Sequence, residues 1–123
     1  MSRDHQAIQD MWNAAQDIVT FTAGMSLESL STDRRTQAAV LYEIIVVGKA
    51  ANRLSREFQA QHPDIPWKDI IGMRNILAHQ YDEVGIEEVW DVVRRDIPEL
   101  ITLIEPLIRG NSMGSSKTSP KNW

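Results

Sequence analysis

The stretch "RRTQAAVLYEIIVVGKAANRL", Arg34 to Leu54, decides the fold. With Val40 at zero and about 100° per residue, Val47, Ala51, Leu54 and Phe58 share one apolar arc of a helix. Ser31, Thr32 and Asp33 just ahead of it offer capping oxygens, and the pattern runs on to about Gln61. Ile44, Ile45, Val46 and Val47 go further and point all the way round that helix. A helix apolar on every side is either central or has an extra face to bury. The extra face predicts a homodimer interface, at which Gly48 and Ala51 permit close approach. A merely central helix is the alternative.

On either side the chain reads as more helix, and nothing reads as a strand. Residues 4–23 place Ile8, Met11, Trp12, Ala15, Ile18 and Val19 at steps of three and four, and Gly24 ends that helix. "MSLESL" fits one short helical turn. "HPDIP" breaks the chain, because each proline disfavours helical geometry in the residue before it. Pro66 then suits the first turn of a third helix, 66–80. "DEVG" connects to a fourth, 86–108, which Pro98 kinks or restarts behind a cap at Asp96. Short connections between long amphipathic helices predict an all-α fold, an antiparallel bundle of four to five helices. The predicted domain is 1–109. Residues 110–123, "GNSMGSSKTSPKNW", carry no acid and read as a flexible tail.

A chain of 123 residues is long enough for one real core and too short for two. No apolar run approaches the length of a membrane span; the longest is "IIVV". The absence of cysteine excludes disulfides and thiolate chemistry and fits a cytoplasmic protein. His5, His62 and His79 lack ligand spacing, so neither a metal site nor a cofactor is expected. All 17 acidic residues and 11 of the 13 basic ones precede Gly110, so the body carries −6. Such a body does not grip nucleic acid by bulk electrostatics, and any contact with RNA has to be a local cationic site.

One cation stands where that argument needs it. With Trp67 at zero on an ideal wheel, Ile70, Ile71, Leu77, Ala78 and Tyr81 form an apolar arc, and Arg74 falls in its middle at about 340°. An unpaired charge under a packed core costs several kcal/mol, so Arg74 faces a cleft, pairs, or both. On the preceding helix Glu43 borders the apolar arc and offers itself as a partner. An ordinary helix-to-helix salt bridge accounts for the two equally well. His79 falls at about 120°, on the polar side and about 140° from Arg74. The two converge only if the helix loosens, the arginine reaches round, or a second subunit completes the site.

Arg74, four residues, His79, one residue, Tyr81: in an all-helical chain this spacing resembles the HEPN superfamily, whose ribonucleases carry Arg-x4-His near the end of a helix. The tyrosine narrows the resemblance to the HepT toxin group, partners of minimal nucleotidyltransferase (MntA-type) antitoxins. "LSTDRRTQAAVLYEIIVVGKAANRL", "HPDIPWKDIIGMRNILAHQY" and "VWDVVRRDIPEL" look like the family's second-helix, motif and last-helix regions, so the similarity spans about residues 4–105. One departure is that Gln80 and Asp82 flank the tyrosine where family members often have Gly-Tyr-Phe.

The resemblance implies a homodimeric toxin of a type VII-like toxin–antitoxin system, a metal-independent endoribonuclease that cuts RNA by attack of the 2′-hydroxyl. It implies His79 as general acid/base and Arg74 on the phosphate, with Asn75 and Glu43 supporting. Tyr81 would be the acceptor for AMP groups that the antitoxin transfers from ATP. The alternative is a non-catalytic HEPN-like module that docks a nucleotidyltransferase or a nucleotide. A purely structural bundle, in which Arg74 and Glu43 form only a salt bridge, is a third reading.

Overall fold

The computed structural model describes residues 3–75 and 85–116, with side chains as far as 109. His79 and Tyr81 lie outside the described residues. Among the described residues seven α-helices follow in order: α1 (Arg3–Phe21), α2 (Leu27–Ser31), α3 (Arg34–Asn52), α4 (Arg56–Gln61), α5 (Trp67–Gly72), α6 (Gly85–Asp91) and α7 (Ile97–Ser116), with a π-helical turn at Val92–Asp96 ahead of α7. No strand occurs among the described residues, so the all-α expectation holds.

α1, α3 and α7 carry the core. α1 packs against both α3 and α7, and α3 takes α5 on its other flank. Ile8, Met11 and Ile18 of α1, Val40, Ile44 and Val47 of α3, and Ile97, Leu100 and Ile104 of α7 are all buried. Each such side chain contributes about 1.5–3 kcal/mol by leaving water. Polar ties along the α1–α3 seam fix its direction: Asp4 meets Ser55, Asp10 meets Arg53 at 2.6 Å, and Asp17 meets Glu43, so the two helices run antiparallel.

Capping explains where the elements begin. Gly24, at φ 77°, turns the chain out of α1, a conformation glycine adopts without Cβ strain. Ser26 and Ser29 form a reciprocal capping box at α2. The Asp33 carboxylate accepts from both the backbone N–H of Thr36 (3.0 Å) and its hydroxyl (2.7 Å) at the start of α3. Those bonds hold its pKa below the ordinary carboxylate value.

Three helices depart from their predicted extents. The second does not run to Gln61. It stops at Asn52, and Ser55 caps a separate α4 by accepting from the Phe58 N–H at 3.0 Å. Asp4 accepts from the backbone N–H and the hydroxyl of Ser55, each at 2.8 Å, so a side chain from α1 stabilises the break. Within the described residues the third helix keeps α geometry to Gly72 and tightens to 3₁₀ at residues 73–75, and the rest of its predicted extent, 76–80, lies outside them. The fourth is α6, the π turn and α7. Ile97 N–H donates to Val92 O across the wider turn, which leaves Pro98 in the first turn of α7, where its missing N–H is not needed. α7 continues past residue 109 to Ser116, beyond the predicted domain edge.

The extra face of α3 also reads differently. Gly48 and Ala51 are buried within the chain and not at its outer surface. Tyr42 is 64% exposed, and Val19 and Phe21 of α1 are exposed as well. Ile45 and Val46 are half-buried.

Candidate functional site

Trp67 anchors the element that carries Arg74. Its indole Nε1–H donates to His62 O at 3.0 Å, its ring meets Phe58 edge-on with centroids 6.2 Å apart, and Ile65 and Ile70 are buried beside it. α5 therefore starts from a fixed corner. Its far end is set by α3. An ideal Cβ built on Gly48 comes within 2.8 Å of Arg74 Cβ, 2.8 Å of Arg74 N and 3.1 Å of Ile71 O. The main chain of residues 71–74 thus rests on a bare Cα.

Arg74 is half-buried in the 3₁₀ turn. Ion pairs among the described residues join Arg53 to Asp10, Arg95 to Asp96 and Arg109 to Glu105, and none involves Arg74. Nor does its guanidinium hydrogen-bond to any described residue. The salt bridge to Glu43 is absent, for a geometric reason. Gly48 and Glu43 point about 140° apart around α3, so the face that receives α5 is not the face that carries the carboxylate. Glu43 turns to α1 instead. Burial, then a hydrogen bond to Asp17 and repulsion from its charge, push the Glu43 carboxyl up to about 7. Glu43 is thereby engaged with Asp17 and not with Arg74.

Asn75 is exposed and lines an open cleft of about 420 Å³ between the end of α5 and the α6–π-turn segment. Among the described residues, Asp69, Glu88, Asp91 and Asp96 rim that cleft with Arg95 as the one cation, and Arg74 does not line it. Negative potential repels a phosphate chain, so the cleft is unsuited to RNA.

Among the described residues, no cluster of histidine and carboxylate side chains is arranged to hold a metal ion, and no helix is long and apolar enough to cross a membrane.

Residues 11–107 match the family described as Ribonuclease HepT-like. The chain belongs to that family. A protein of Thermococcus cleftensis named as a probable ribonuclease HepT is 33% identical over 87% of this chain and 98% of its own length. A protein of Methanocaldococcus jannaschii named as a candidate RNase is 32% identical, covering 83% of this chain and 84% of the relative. Another candidate RNase, from Caldanaerobacter subterraneus subsp. tengcongensis, is 31% identical over 70% of this chain and 77% of its own. No solved structure matches the chain.

Within this HepT-like chain the described residues place Glu43 apart from Arg74 and Asn75. Arg74 and Asn75 are neighbours on the motif turn, Glu43 lies on another face with Asp17, and His79 and Tyr81 fall outside the described residues. Asp17 and Gly48 carry no signal in the sequence that ties them to the site. The Asp17–Glu43 contact leaves no local signal, because it joins residues 26 positions apart on different helices. Gly48 was visible as a small residue in an apolar helix, but the element that approaches it was not.

Proposed function

We propose that this HepT-like chain is the toxin of a toxin–antitoxin pair and cleaves RNA in the cytoplasm without a metal ion. The carrying observation is Arg74, a half-buried residue whose guanidinium has no partner among the described residues, held on the motif turn of a chain in a ribonuclease family. In the proposed reaction the 2′-hydroxyl oxygen bonds to the adjacent phosphorus and the P–O5′ bond breaks. A cyclic phosphate and a 5′-hydroxyl result. A base takes the 2′ proton and an acid returns one to the leaving 5′ oxygen. Imidazole does both near neutral pH, which assigns that work to His79. The fork of Arg74 donates to the phosphorane oxygens, where charge develops. Asn75 orients the phosphate or the imidazole. Glu43 has no place in this scheme, because it engages Asp17.

The catalytic cleft forms between two copies of the chain, and the exposed Tyr42, Val19 and Phe21 supply apolar surface for pairing. Tyr81 accepts AMP from a cognate MntA-type nucleotidyltransferase, and each AMP adds negative charge and bulk that keep RNA out. A second reading is favoured by the acidic cleft beside Asn75: a module that docks the nucleotidyltransferase and cuts nothing itself. Purified wild type and His79→Ala, assayed on RNA in EDTA and for growth arrest on expression, separate the two. Wild type that cuts, with an inert His79→Ala, supports the ribonuclease. Uncut RNA with equal toxicity of both proteins removes it. Incubation with the neighbouring nucleotidyltransferase and ATP adds AMP mass to wild type; the same added mass on Tyr81→Phe refutes the acceptor.

A further inference from the structure

We propose that Gly48, on α3, is a positioning residue for Arg74: its missing side chain lets α5 close onto α3 and fixes where the guanidinium emerges from the turn. This rests on the reading of Arg74 as the phosphate-binding residue. The approach is tighter than any side chain allows. A Cβ at position 48 stands 2.8 Å from both the Cβ and the main-chain N of Arg74, and 3.1 Å from Ile71 O. Two of these three atoms are backbone and the third is the root of the side chain, so no rotamer change relieves the overlap and the turn itself must move. Gly72, in α5, shows the contrast: a Cβ there meets nothing within 4 Å. Gly48 lies mid-helix, where glycine weakens a helix by about 0.5–1 kcal/mol relative to alanine. Neither a turn nor a positive φ explains it there, since positive φ among the described glycines occurs at Gly24. The close approach to Arg74 does explain it.

The test is Gly48→Ala beside Arg74→Ala and the double variant, all as the full chain. Binding of a single-stranded RNA carrying 2′-O-methyl groups, which cannot attack, is measured against salt. Each phosphate contact contributes about 0.7 to the slope of log affinity on log salt. Gly48→Ala is expected to lose the same increment as Arg74→Ala, with no further loss in the double variant. On cleavable RNA the fall should appear in kcat more than in KM, by about 10²-fold for a displacement near 1 Å. A folded Gly48→Ala with wild-type slope and kcat, beside an impaired Arg74→Ala, overturns the positioning role and leaves the ribonuclease reading intact. An Arg74→Ala protein that loses neither slope nor cleavage overturns both. If Gly48→Ala does not fold, magnetisation transfer between the Gly48 α protons and the Arg74 β protons in wild type decides. Its presence supports the contact, and its absence overturns it.

Discussion

Glu43→Gln is expected to stabilise the protein at alkaline pH and to leave it unchanged in acid. In the folded chain Glu43 is held beside Asp17, and burial followed by that neighbour lifts its carboxyl from 4.5 to about 7. The folded state thus binds the proton more tightly than the unfolded chain. Stability is highest below the unfolded pKa, falls as pH rises between about 4.5 and 7, and is flat above. At about 1.36 kcal/mol per unit the full shift is worth roughly 3 kcal/mol. Glu43 is partly exposed, and water screens most of that, so about 1 kcal/mol is the working figure. Glutamine donates to Asp17 without ever carrying a charge. Urea unfolding followed by far-ultraviolet circular dichroism, at about pH 5 and about pH 8, should therefore give a steep pH dependence for wild type and a shallow one for Glu43→Gln. Asp17→Asn should recover less, because burial and not Asp17 is the larger cause. Parallel pH profiles for wild type and Glu43→Gln would refute the reasoning.

Other perturbations test the frame around the site. Ser55→Ala removes the cap of α4 and the hydroxyl that donates to the Asp4 carboxylate, and should cost about 1–2 kcal/mol in urea unfolding; Asp4→Ala should cost a similar amount, and the two should not add. Ile44→Ala empties a fully buried position on α3 and is expected to cost about 2–5 kcal/mol, read as a lowered urea midpoint at unchanged slope. Gly24→Ala forces a Cβ into φ 77° and should lose about 1 kcal/mol of thermal stability without touching RNA cleavage.

The helical frame was legible because its signals are local. Apolar steps of three and four residues on α1 and the side-chain oxygen of Asp33 ahead of α3 stand in the sequence as they stand in the structure. The break at Ser55 was not legible, since the carboxylate that stabilises it comes from Asp4, at the other end of the helix packed alongside. The site divides in the same way. Arg74 was anomalous on its own helix and has no ion pair among the described residues, which a wheel can foresee. What Glu43 and Gly48 each meet could not be inferred from a wheel. Glu43 and Gly48 are five positions apart on one helix, and only the packing shows that α1 meets the first and α5 the second.

The π turn at Val92–Asp96 has a consequence for how the chain tolerates edits in length. A π turn holds one residue more than an α turn, and that extra residue is what lets Val92 and Ile97, five apart, both face the core. Arg94 and Arg95 sit on its solvent side. Deleting one of them should regularise the helix and keep Ile97, Leu100 and Ile104 in phase with α6, whereas the same deletion inside α7 would rotate everything beyond it by about 100°. Here the protein can shorten by a residue without losing its register.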